Sequence, residues 1–164
     1  MYVLCCTLLE GRFDDKVIMS EDKKVGVGVG VMILKDGKVL LGKRHVDPKK
    51  ADSELSGEGT WTMPGGKLDY GETLEEGVKR EVLEETEIAL GDIEVMCLNQ
   101  DMNEKAHFIT IGFIAEITDQ EPKVMEPDEI TEWGWFDLDT LPSPLFFPSA
   151  KVLDNYKQKK FYIT

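Results

Sequence analysis

The chain is short of cysteine, of positive charge and of long apolar runs, and each shortage excludes a class of protein. Three cysteines, Cys5, Cys6 and Cys97, stand among 164 residues. Two are adjacent and one is alone, so no CxxC spacing offers a zinc site, and the odd count suits a reducing compartment better than a disulfide framework. Lysine and arginine number 19 against 32 aspartates and glutamates, a net charge of −13. Such a surface repels phosphate backbones and argues against a nucleic-acid polymer as partner. It would repel a small phosphorylated substrate as well, unless metal ions invert the local field. The apolar run from Tyr2 to Leu9 has no basic residue before it and meets Glu10, Arg12, Asp14 and Asp15 directly after. It is too short to span a bilayer, and no other segment reads as transmembrane. The expectation is a cytoplasmic protein with no membrane partner. Internal repeats and low-complexity tracts are absent too.

What remains is the mix of an ordinary globular chain, 41% apolar and 31% charged, at a length that fits one domain with a real core. Residues 1–24 read as an N-terminal extension, an extra strand or a loose arm, and residues 25–164 as the domain. From Val25 to Leu34 the sequence VGVGVGVMIL puts β-branched residues at every second position. That is a strand with glycines on its other face, where close packing is expected. Asp36-Gly37 supplies a hairpin turn, and Val39 to Lys43 returns. A polar stretch from Asp47 to Gly59 reads as a long loop, often a functional feature in a compact domain. Trp61 to Met63 is a short strand ending at Pro64-Gly65-Gly66.

Thr73 to about Thr86 is the clearest helix. Thr73 and Glu76 have capping-box spacing, and Leu74, Val78 and Val82 form a narrow apolar stripe. Gly77 inside it costs about 1 kcal/mol, which suggests that another backbone lies close. Further strands are read near Ile93–Asn99, His107–Ile117 and Thr131–Phe136, and a second helix from Leu145 to about Tyr156. Strands, a helix, more strands and a final helix argue an α+β or mixed α/β sandwich.

The first helix carries the chemistry. Glu81, Glu84 and Glu85 lie at i, i+3 and i+4 and share one face. Like charges at that spacing cost a helix roughly 0.2–0.5 kcal/mol per pair, a cost that a bound divalent cation turns into a gain. Carboxylate oxygens suit Mg²⁺, which keeps several waters and takes phosphate oxygens as well. Arg80 is placed to pair with Glu72. A plain solvated acidic face is the competing explanation. The narrow apolar stripe and the preceding Gly-Gly loop weigh against it.

The segment from Gly66 to Ile88, with Glu72, Arg80, Glu81, Val82, Glu84 and Glu85 in place, resembles the Nudix box, Gly-x5-Glu-x7-Arg-Glu-U-x-Glu-Glu-x-Gly-U. One position departs: Glu87 stands where the box has its second glycine, at the end of the helix. Trp61-Thr-Met-Pro-Gly-Gly and Trp133-Gly-Trp135-Phe136 also fit the family, and the likeness runs from about Val25 to Tyr156. It implies the Nudix fold, a mixed β-sheet sandwiched between helices, and a hydrolase in which water attacks a phosphorus of a diphosphate link. It implies Mg²⁺, with Mn²⁺ as a substitute, bound by Glu81, Glu84, Glu85 and the Gly65 carbonyl. Glu72 and Arg80 would brace the loop–helix–loop. Glu81, Glu84 and Glu85 would be catalytic through the metal, and Glu129 is chosen over Glu126 and Glu132 as the auxiliary carboxylate. The wider pattern is similar to the subgroup that cleaves nucleoside triphosphates to a monophosphate and pyrophosphate. Arg44, or Lys43, would then meet a phosphate, while Thr110, Leu145 and Phe146 line the base pocket. The alternatives are a Nudix hydrolase of ADP-ribose or a nucleotide sugar, and a non-catalytic nucleotide-binding module. The missing proline some sixteen residues past the box weighs against ADP-ribose, and the intact glutamates weigh against the module. The family commonly forms homodimers, so a homodimer is expected.

Overall fold

The structure is a computed structural model that describes residues 24–51 and 53–163. The extension read at residues 1–24 lies outside them, Lys24 apart. Six strands and two helices follow in the order β1 (Val25–Lys35), β2 (Lys38–Arg44), β3 (Trp61–Thr62), α1 (Leu74–Thr86), β4 (Glu94–Met102), β5 (His107–Glu116), β6 (Ile130–Asp137) and α2 (Phe147–Gln158). Asp36 and Gly37 both take positive φ, 50° and 77°, as the tight turn between β1 and β2 demands.

The sheet is mixed. β1 runs parallel to β5 along its whole length, from Val25 beside His107 to Leu34 beside Glu116, and β4 closes that side antiparallel to β5. β2 pairs with β6 along its length, from Lys38 beside Asp137 to Arg44 beside Ile130, and otherwise meets β1 only at Leu34–Val39 and Lys35–Lys38 and β3 at Gly42–Thr62 and Lys43–Trp61. The sheet therefore forks. The freed edge of β1 is taken by the loop after β3: Val31 donates to Pro64 O and Val29 to Gly66 O, each at 2.9 Å, and Leu68 donates to Val27 O at 3.1 Å. On the outer rim of β4, the Leu98 amide donates to Phe161 O at 2.9 Å.

Period-two alternation on β1 divides the core between two layers. Val29, Val31 and Ile33 point to α1 and pack with Val78, Val82, Ile88 and Phe113; Trp133 and Trp135 flank them. Met32 and Leu34 point to α2 and pack with Cys97, Val152 and Leu153. Phe113→Ala should cost about 3–5 kcal/mol of unfolding free energy, because its ring is 1% exposed in the first layer. Urea denaturation checks this, and a loss under 1 kcal/mol would contradict the packing described.

Three expectations need correction. The second helix begins at Phe147, not Leu145. Backbone bonds from Trp61 N to Pro144 O and from Phe146 N to Trp61 O hold residues 144–146 extended beside β3, and Pro148 sits in the first helical turn, where its missing N–H costs nothing. At Gly77, a Cβ would meet the side chains of Leu68 and Glu72 at 2.7 and 3.1 Å, so loop side chains rather than another backbone require the glycine. The glycine face of β1 is closely packed only at Gly26, under the Phe108 ring; nothing lies within 4 Å of a Cβ at Gly30. That face is bare because it floors a cavity.

Candidate active site

The cavity holds about 450 Å³, within the range of small-ligand sites. It opens where the sheet forks. Gly28, Gly30, Thr110 and Phe108 come from β1 and β5, Gly65 and Gly66 from the loop along β1, and Glu81 and Glu85 from α1. Arg44, residues 53–55, Glu126, Glu129, Phe146 and Ser149 complete the wall.

The loop and helix that carry the carboxylates are rigidly built. Thr73 caps α1, its hydroxyl accepting from Glu76 N while Glu76 accepts from Thr73 N, the full capping box. Arg80 then ties helix to loop. Its Nε and Nη2 donate to Glu72 at 2.6 and 3.0 Å, and Nη2 also donates to Lys67 O at 3.1 Å. The Arg80 guanidinium and the Asp69 amide hold the Glu72 carboxyl below its usual range. Arg80 and Glu72 thus pair across the loop–helix junction.

The three helix carboxylates differ in setting. Glu85 Oε2 accepts from the Gly65 amide at 2.9 Å. Burial pushes its carboxyl well above the ordinary range; the Gly65 bond opposes this, and the charges of Glu81, Glu126 and Glu129 add to it. Burial raises Glu81 too, against the pull of Arg80, whose Nη1 donates to it at 2.8 Å. Glu84 does not line the cavity. It is half exposed and held by Arg80 Nη1 at 3.1 Å.

Of the other residues picked from sequence, Arg44, Thr110, Phe146, Gly65 and Glu129 meet at the cavity, and Lys43 and Leu145 do not line it. Lys43 donates to Gly59 O at 2.6 Å and lies over the Trp61 ring. Leu145 bridges to Trp61 and packs against the α2 layer. Arg44 is buried, donates to Ala51 O at 3.1 Å and stands over the Phe146 ring at 5.1 Å. Phe108 and Ser149 escaped the sequence reading. Phe108 could have been found, because it lies two residues before Thr110 and so shares its face of β5. Ser149 could not: its hydroxyl meets Thr62 Oγ1 and Met63 N only through the packing of α2 on β3.

Two helices thus flank a mixed sheet, and glutamates from a loop–helix–loop gather at the pocket where the sheet forks. The NUDIX domain model matches residues 24–156, and the chain belongs to the Nudix hydrolase family. It is 32% identical to an ADP-ribose pyrophosphatase of Methanocaldococcus jannaschii, covering 96% of this chain and 92% of that protein. It is 31% identical to an oxidized purine nucleoside triphosphate hydrolase of Danio rerio, over 68% and 66% of the two chains. Among solved structures, a MutT NUDIX hydrolase from Burkholderia pseudomallei superposes with a TM-score of 0.71 at 35% identity, covering 80% of this chain and 98% of that one. Among the described residues no helix is long and apolar enough to cross a membrane.

Proposed function

We propose that this chain hydrolyses a nucleoside triphosphate to a monophosphate and pyrophosphate with the help of Mg²⁺. The observation that carries the reading is the joining, in one cavity, of the carboxylates Glu81, Glu85, Glu126 and Glu129 with an aromatic and polar wall suited to a base, Phe108, Thr110 and Phe146.

The donors fit a hard divalent cation, since all are carboxylate oxygens with a glycine backbone beside them. Among the described residues no three such groups converge closely enough to form a complete cage. Mg²⁺ takes one or two carboxylates, keeps several waters and completes its shell with phosphate oxygens. When bound, it would supply positive charge to the phosphoryl oxygens and lower the pKa of water. In this reading Glu81, Glu85 and the Gly65 carbonyl hold the cation, and Glu84 supports them through Arg80. Glu129 takes the proton of the attacking water. The Gly65 amide fixes Glu85 by its Oε2, so one rotamer of that carboxylate is kept before substrate arrives. Arg44, beside the Phe146 ring, pairs with a phosphate. The work of the protein is positioning and electrostatics, as phosphoryl transfer requires.

A second reading, hydrolysis of ADP-ribose, is favoured by the near full-length similarity to the M. jannaschii protein. Incubation with Mg²⁺ and a panel of nucleoside triphosphates, ADP-ribose and nucleotide sugars separates them. Monophosphate plus pyrophosphate from a triphosphate is the expected result. Turnover of ADP-ribose alone would replace the first reading by the second, and no turnover of any compound would sink both.

A further inference from the structure

The connection between β5 and β6 is fastened to the end of α1 more firmly than a surface loop requires. Gln120 pairs reciprocally with the backbone of Ala89, just beyond the helix: Nε2 donates to Ala89 O at 3.0 Å, and Oε1 accepts from Ala89 N at 2.8 Å. Glu121 accepts from Lys35 Nζ, and from Trp135 Nε1 at 2.9 Å. The Lys123 amide donates to Thr86 O at 2.9 Å and the Met125 amide to Glu85 O at 3.3 Å. These acceptors belong to the last turn of α1, whose carbonyls have no partner within the helix. Lys123 Nζ also pairs with the carboxylate of Glu87. Glu87 is the residue that departs from the Nudix box, and it holds a left-handed conformation, φ 61°, in which a side chain other than glycine is costly. Directly after Met125 comes Glu126, which lines the cavity and whose charge acts on both Glu81 and Glu85.

We propose that the strap from Gln120 to Met125 is a positioning device. It registers Glu126 against the carboxylates of α1, with Gln120 and Lys123 as its positioning residues and Glu87 as the anchor that the exchanged box glycine provides. The inference rests on the reading of this cavity as the hydrolytic centre. If the strap were a helix cap and nothing more, loosening it would lower stability and leave turnover of the folded enzyme unchanged. A strap that sets Glu126 beside Glu81 and Glu85 acts on kcat instead, since a misplacement of about 1 Å around the reacting centre can cost up to 100-fold in rate.

The test is a double-mutant cycle on the full chain, with kcat and KM measured separately at saturating Mg²⁺. Gln120→Ala is expected to lower kcat about tenfold with KM within about twofold. In a Glu126→Gln background the same change should have less than about a twofold effect, because residues acting as one unit do not add. Lys123→Ala should lower kcat about threefold, as befits a more exposed ion pair, and Lys123→Arg should restore it. If Gln120→Ala does not fold, Lys123→Ala enters the cycle in its place. A wild-type enzyme that turns over substrate while the losses simply add overturns the strap's role alone. An inactive wild type overturns the hydrolytic reading and the strap with it.

Discussion

Glu85→Gln is expected to lower kcat on the order of a thousandfold, the scale of losing one preorganised charge at a transition state. The metal-free protein should meanwhile gain stability at neutral pH. Both effects follow from one setting. Glu85 is held by Gly65 and faces Glu81, Glu126 and Glu129, so burial and like charge raise its pKa in the folded state. A carboxyl raised on folding contributes its full stability below the unfolded pKa, and that contribution is lost as pH rises through the folded value. Above the folded value the wild type carries a buried charge, only partly compensated by the Gly65 amide, that a neutral amide of the same shape lacks. Thermal melts in EDTA should place Glu85→Gln at or above wild type at pH 8, with the difference closing toward pH 4. A variant that melts lower at pH 8 yet keeps near-normal turnover would remove Glu85 from the site.

Gly65→Ala should be the most damaging small change. A Cβ there would sit 2.2 Å from Val29 O and 2.8 Å from Gly30 Cα. Both are backbone atoms of the central strand and cannot step aside as a side chain can. The residue also has φ 143°, a region that other L-residues rarely adopt. Overpacking and backbone strain each cost about 1–3 kcal/mol. The loop can escape only by lifting off β1, which takes the Gly65 amide away from Glu85. Activity should fall about 100-fold, the scale of a 1 Å misplacement, together with a loss of several degrees in Tm. Gly30→Ala is the control. Nothing lies within 4 Å of its Cβ, so stability should hold while the added methyl narrows the cavity floor and raises KM. If Gly65→Ala melted and turned over like wild type, the contact of this loop with β1 would be wrong.

Local rules carried the reading of the sequence a long way. The capping box of Thr73 and Glu76, the Asp36-Gly37 turn and the alternation of Val29, Val31 and Ile33 are short-range features, and all three appear in the structure. The acidic face of α1 was visible because i, i+3 and i+4 spacing is a property of any helix. Which of its carboxylates meets the cavity was not, since tertiary packing decides it: Glu81 and Glu85 line the cavity, while Glu84, held like Glu81 by Arg80, stays half exposed outside it. The choice between Lys43 and Arg44 hung on strand register, which places adjacent residues on opposite faces. The bare face of β1 was misjudged for a related reason. Alternating glycines tell that side chains are missing, and only the third dimension tells whether a neighbour or a hollow takes their place.

The outer rim of β4 has a consequence for how the protein behaves in bulk. Among the described residues this strand has one strand neighbour, β5, and on its other side the Leu98 amide is engaged by Phe161 O. Val95 and Met102 stand exposed along it. A strand rim with open amides and apolar side chains is a template on which other molecules can build. The residues after α2 cover part of that rim, and a tag or truncation that displaces Phe161 is expected to show itself as turbidity on concentration while the protein left in solution keeps its fold.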